Sequence, residues 1–109
     1  MKRITMSFLL IMLFPLCAFA GEIYGSLEVN GRSIGPGVKV EIRCGNNTYT
    51  EQTDGYGSYS VYVRDTGGCH LTVQYGSQSP QIDVYSYPNS VRYDLVLEGS
   101  GGQYSLRRK

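Results

Sequence analysis

Few side chains in this 109-residue chain could take part in covalent or ionic chemistry. They are three cysteines (Cys17, Cys44, Cys69), a single histidine (His70) and nine acidic residues. Acid–base or nucleophilic catalysis needs groups that converge. By strand parity His70 points outward, and no partner for it is recognisable along the chain, so a catalytic role is not expected. Zinc sites need regularly spaced Cys and His ligands, and Cys44 followed by Gly45-Asn46-Asn47 matches no such spacing. Calcium prefers a crowd of oxygen ligands. Asp54 and Asp65, from neighbouring loops, are the one conceivable pair. Asp54 is better read as capping the turn Asp54-Gly55-Tyr56-Gly57 through the nearby backbone. Neither a metal nor a cofactor is expected.

The ten tyrosines, without a single tryptophan, carry the stronger signal. Parity sends Tyr59, Tyr75 and Tyr93 inward and Tyr24, Tyr62 and Tyr85 outward. It leaves Tyr49, Tyr56 and Tyr87 on an edge strand or in turns. Exposed tyrosine offers a large apolar face with a polar tip, which suits protein contacts and stacking on sugar rings. Strands also favour tyrosine for its shape alone, so both readings stay open. Tyr24 and Tyr62 are the candidates for a protein partner, Tyr56 and Tyr87 for a glycan.

The elements that position these residues begin after a leader. Lys2 and Arg3 precede an apolar run over 4–14, Pro15 interrupts it, and Ala18-Phe19-Ala20 has the small-x-small form of a cleavage site. This pattern predicts a secretory signal peptide over 1–20, cleaved after Ala20, and hence a secreted or periplasmic product with no transmembrane segment remaining. Leu16 before Cys17 does not suit a lipid-attachment signal. Losing Lys2 and Arg3 leaves eight basic against nine acidic residues. That near-neutral balance offers no field to hold nucleic acid.

An exported chain meets an oxidising compartment, so Cys44 and Cys69 are expected to form a disulfide. Periodicity agrees. Cys44 shares the parity of Val38, Val40 and Ile42, and Cys69 that of Leu71, Val73 and Tyr75, so both sulfurs should face the core. A body this small buries a modest share of its surface and benefits from a covalent staple.

Alternation at period two marks strands over 22–29, 38–43, 48–53, 58–64, 69–75, 81–85 and 90–97. Gly25, on the inward parity of the first, predicts a close backbone approach. The polar third strand suits a sheet edge. Seven short strands with turns every eight to twelve residues predict an all-β sandwich over 21–98. Gly99-Ser100-Gly101-Gly102 reads as a flexible linker. The stretch ending Arg107, Arg108, Lys109 reads as a frayed basic tail or a docking peptide, so 99–109 is set outside the domain.

The run Gly21-x-Ile23-x-Gly25-x-Leu27, then Gly35-Pro36-Gly37-Val38, then Thr53-Asp54-Gly55-Tyr56-Gly57-Ser58-Tyr59 resembles the carboxypeptidase regulatory-like domains, relatives of the transthyretin (prealbumin-like) and collagen-adhesin B-type sandwiches. The resemblance implies a seven-stranded Greek-key β-sandwich with the second strand antiparallel to the fifth, which places Cys44 beside Cys69. It also implies a non-catalytic module. The histidines and C-terminal Tyr-Arg-Gly-Ser of the related hydroxyisourate hydrolases are missing, and Lys39 and Lys109 are poorly placed for an isopeptide bond. The expected function is therefore binding of a protein in the envelope or extracellular space. A carbohydrate-binding module is the alternative, and a small transthyretin-like hydrolase a remote one.

Overall fold

The computed structural model describes residues 21–100 and 102–109; the expected signal peptide lies outside them. Among the described residues every regular element is a strand. In chain order they are β1 Gly21–Val29, β2 Arg32–Ser33, β3 Lys39–Cys44, β4 Asn47–Gln52, β5 Ser58–Val63, β6 Gly67–Gln74, β7 Gln81–Ser86, β8 Val91–Arg92, β9 Leu95–Ser100 and β10 Gln103–Arg108. They form two sheets that pack as a sandwich.

The first sheet is built around β1. The N-terminal half of β1 pairs antiparallel with β5 (Ile23 opposite Val61) and parallel with β8. Its C-terminal half pairs with β2 across the Asn30-Gly31 turn and parallel with β9 (Leu27 opposite Leu95). Asn30 sits at φ 48° and Gly31 at φ 87°, the left-handed conformations that an Asn-Gly hairpin turn demands. β10 completes this sheet beyond β9. The second sheet runs β4-β3-β6-β7, antiparallel throughout.

The core lies between the sheets. Ile23, Leu27, Val61, Val63, Leu95 and Leu97 from one sheet meet Val40, Ile42, Leu71 and Val73 from the other, all of them buried. The inward residues follow the period-two pattern of the sequence. Antiparallel pairing of β3 with β6 sets Arg43 opposite His70, which brings Cys44 opposite Cys69 in the next position. The two are joined as a disulfide, with Cα atoms 4.5 Å apart and a sequence separation of 25. In the chain-entropy picture a loop of that length is worth about 3–4 kcal/mol.

Three expectations need correction. Among the described residues there are ten strands, not seven. The stretch 90–97 is broken into β8 and β9, because Tyr93 and Asp94 bridge sideways onto β1. The Tyr93 N–H donates to the Tyr24 carbonyl (2.8 Å), and the Asp94 carboxylate accepts from the Ser26 N–H (3.0 Å) in place of a ladder carbonyl. The third correction concerns 99–109, which is neither linker nor frayed tail. Gly99 and Ser100 end β9, and Ser100 pairs with Gln103, the first residue of β10. Leu106 on β10 is buried against the core. Arg107 pairs with Glu98 at 2.7 Å and Lys109 with Glu28 at 2.6 Å.

Candidate functional site

The turn Asp54-Gly55-Tyr56-Gly57 is held by the Asp54 side chain and carbonyl and by the conformation of Gly57. Asp54 Oδ1 accepts from the backbone N–H groups of Tyr56 (2.9 Å) and Ser58 (3.0 Å). The Asp54 carbonyl accepts from the Gly57 N–H at 3.0 Å. Gly57 stands at φ 77°, and a side chain there would meet the Ser33 hydroxyl and the Leu27 carbonyl. Gly55 faces open space. Thr53, which opens the quoted motif, is buried. Its hydroxyl donates to the Gly35 carbonyl (2.6 Å) and accepts from the Val38 N–H (3.0 Å), tying the Gly35-Pro36-Gly37 loop to the turn.

Asp65 is held elsewhere. It accepts from Asn47 Nδ2 (2.9 Å) and from the Tyr49 hydroxyl (3.3 Å). Asp54 precedes β5 and Asp65 follows it, and a strand of that length puts about 20 Å between its two ends. The two carboxylates therefore cannot share a cation. Among the described residues no three His, Cys, Asp or Glu side chains gather to hold a metal ion.

His70 does have a partner. β6 and β7 pair so that His70 lies opposite Asp83, and Nδ1 stands 2.7 Å from Asp83 Oδ1. The pair is exposed on the outer face of the second sheet. Its partnership was hidden because it depends on the register between two strands.

The tyrosines divide by depth. Tyr59 and Tyr93 are buried, and Tyr75 packs half-buried against the core. The Tyr59 hydroxyl donates to the Tyr93 carbonyl at 2.7 Å. Burial, and then the Asp94 charge, push the Tyr59 phenol well above its usual range, so it stays a neutral donor. The Tyr93 hydroxyl reaches the other sheet and accepts from the Tyr85 N–H at 2.9 Å. The Arg108 guanidinium lies 4.5 Å from the centre of the Tyr93 ring. Burial alone would raise the Asp94 carboxyl, but the Arg92 guanidinium and the Ser26 donors outweigh it and hold the group below the usual carboxylate range. Tyr75 meets Tyr104 edge to face at 5.3 Å.

Four tyrosines are exposed: Tyr56 (84%), Tyr62 (65%), Tyr85 (48%) and Tyr87 (46%). The structure brings Tyr62 and the half-buried Tyr24 onto one face. β1 and β5 pair Glu22 with Tyr62 and Tyr24 with Ser60, so the two rings are diagonal neighbours. Between them Glu22 accepts from the hydroxyls of Ser60 and Ser90. Arg92 stands 6.0 Å over the Tyr24 ring.

The structure does not bring Tyr56 and Tyr87 together. The Tyr87 carbonyl abuts Gly21, the first residue of β1. Tyr56 lies in the turn whose Gly57 carbonyl accepts from the Leu27 N–H. Six residues of β1, about 20 Å, separate the two places. Tyr87 instead pairs with Tyr85, ring centres 4.7 Å apart and planes tilted by 42°. The signal for that pair was present in the sequence, since Asp83, Tyr85 and Tyr87 share one parity.

The chain matches no model of a known protein family and no curated protein.

Proposed function

We propose that the chain is a secreted or periplasmic, non-catalytic β-sandwich module that binds another protein through the outer face of β1 and β5. The observation that carries this reading is Tyr62. It is 65% exposed near the end of β5, with Tyr24 diagonal to it and a hydrogen-bonded Glu22, Ser60 and Ser90 beside the two rings. A large ring on a face with few rotatable groups is a low-entropy anchor for a partner. Export rests on the leader pattern at 1–20, and the Cys44–Cys69 disulfide accords with an oxidising compartment. The antiparallel pairing of β3 with β6, and the Asp54 turn opening β5, support a prealbumin-like Greek-key sandwich of the carboxypeptidase regulatory-like kind. The non-catalytic reading rests on where the polar groups are engaged: Asp54 and Asp65 in loops, His70 and Asp83 with each other.

The test is capture from an envelope or extracellular extract by the immobilised protein, beside a variant carrying Tyr24→Ala and Tyr62→Ala. The expected result is a protein retained by the unaltered chain and lost, by about tenfold or more, from the variant. Thermal melting should show both forms folded. Equal retention by the two would remove this face from the proposal.

A further inference from the structure

A second surface lies on the opposite sheet and goes beyond the protein-binding reading. A shallow groove of about 490 Å³ opens beside β6 and β7, where the outward Gly68, His70, Asp83 and Tyr85 meet the inward Cys69, Val84 and Tyr93. We infer that the outer face of β6 and β7 at this groove is a carbohydrate subsite for a flat, β-linked chain of gluco-configured pyranoses, with Tyr85 and the adjacent Tyr87 as the stacking platform and His70 and Asp83 as the hydroxyl-reading pair.

Three observations converge on that ligand. The first is the platform. Tyr85 and Tyr87 form one tilted aromatic surface, each ring close to half exposed. Across the ladder Tyr85 faces Gly68, and a side chain at Gly68 would point into open space. The neighbouring strand therefore presents no side chain beside the Tyr85 ring. Such a surface favours a ligand with an apolar face and a polar edge. A pyranose with equatorial hydroxyls has both: its axial C–H bonds form the face, and its hydroxyls radiate from the edge.

The second observation is the polar pair. His70 Nδ1 and Asp83 Oδ1 bind each other, which fixes both side chains next to the platform. Among the described residues His70 Nε2 and Asp83 Oδ2 have no hydrogen-bond partner. A held carboxylate oxygen accepts from a sugar hydroxyl, and a held imidazole nitrogen exchanges a hydrogen bond with the next. Arg43, opposite His70 on β3, extends the same row with further donors.

The third is shape. The row Arg43, His70, Asp83 runs straight across three strands on one sheet face. A flat, β-linked oligosaccharide can lie along such a face, whereas an α-linked chain curls away from it. The ring pair is anchored from beneath as well. The Tyr93 hydroxyl accepts from the Tyr85 N–H, so the platform is positioned by the core before any ligand arrives.

The experiment titrates the protein with cellohexaose, chitohexaose and maltohexaose, read by calorimetry and by tyrosine fluorescence. Saturable binding of a β-linked hexasaccharide, stronger than that of maltohexaose, is expected. Tyr85→Ala and Tyr87→Ala should each weaken it about tenfold. Asp83→Asn should weaken it several-fold, and Tyr62→Ala should leave it unchanged. Melting curves check that each variant folds. If Tyr85→Ala does not fold, shifts of the Gly68 and Tyr87 amide resonances on titration of the unaltered protein supply the location. No saturable signal from either β-linked sugar overturns the inference. So does binding that survives both Tyr85→Ala and Tyr87→Ala, or binding of maltohexaose alone. Because Tyr24 and Tyr62 lie on the other sheet, failure here and failure of the protein-capture test are separate results.

Discussion

A chain ending at Glu98 is expected to be largely unfolded at 37 °C. The cut removes β10 and the end of β9, which a composition reading assigns to a dispensable tail. Six backbone pairings between β9 and β10 go with it. So do the buried Leu106, the Arg108 guanidinium over Tyr93 and the hydrogen bond from the Lys109 N–H to the Asp94 carbonyl. Truncating a buried leucine to alanine typically costs about 2–5 kcal/mol by itself. Small domains have total stabilities of only about 5–15 kcal/mol, with the smallest at the low end. Leu97 and Val96, now buried, would also lose cover. Circular dichroism melts of the full and shortened chains give the answer. A shortened chain melting cooperatively within about 3 °C of the full one would show that β10 is an accessory.

Gly25→Val should be nearly as damaging, for a different reason. A Cβ at Gly25 would stand 2.0 Å from the Tyr93 carbonyl oxygen and 2.6 Å from its carbon, both backbone atoms. No rotamer change relieves a clash with backbone. β1 and the Tyr93–Asp94 bridge would have to part, breaking the Tyr93 to Tyr24 and Ser26 to Asp94 hydrogen bonds. The expected loss is about 3–5 kcal/mol, in the range reserved for disrupted cores and broken buried networks. Gly55→Ala is the control, since a Cβ there meets nothing, and its effect should stay within about 0.5 kcal/mol. Urea unfolding of the two variants decides the matter. Equal midpoints would mean that the close approach at Gly25 carries no weight.

Much of this body was legible in the sequence, because burial at period two is a local signal. The parity of Ile23 and Leu27, of Val40 and Ile42, and of Leu71 and Val73 named the core, and the same parity aimed Cys44 and Cys69 at each other. Gly25 on an inward position announced the close approach that the structure shows at Tyr93. What escaped depends on pairing between distant strands. The break at Tyr93 and Asp94 arises from hydrogen bonds to β1, 68 positions away in the case of Ser26. β10 escaped because the glycine-rich stretch before it has the composition of a linker, although Gln103-Tyr104-Ser105-Leu106 alternates as a strand does. The union of His70 with Asp83 needed a register that no single strand contains.

The parallel pairing of β1 with β9 also governs when the body can form. β1 is the first strand of the described body, yet its C-terminal half, paired on one side with the adjacent β2, finds its other neighbour only in residues 95–97, and Glu28 finds Lys109. Joining such distant segments carries a loop-closure cost before any contact rewards it, so folding should take milliseconds to seconds. Stopped-flow refolding tests this, and completion within microseconds would contradict it. Until residues 95–97 are made, one edge of the C-terminal half of β1 has no strand to seal it. On the export reading proposed above, that delay keeps the chain loose enough to be threaded through a membrane channel until β9 and β10 have followed.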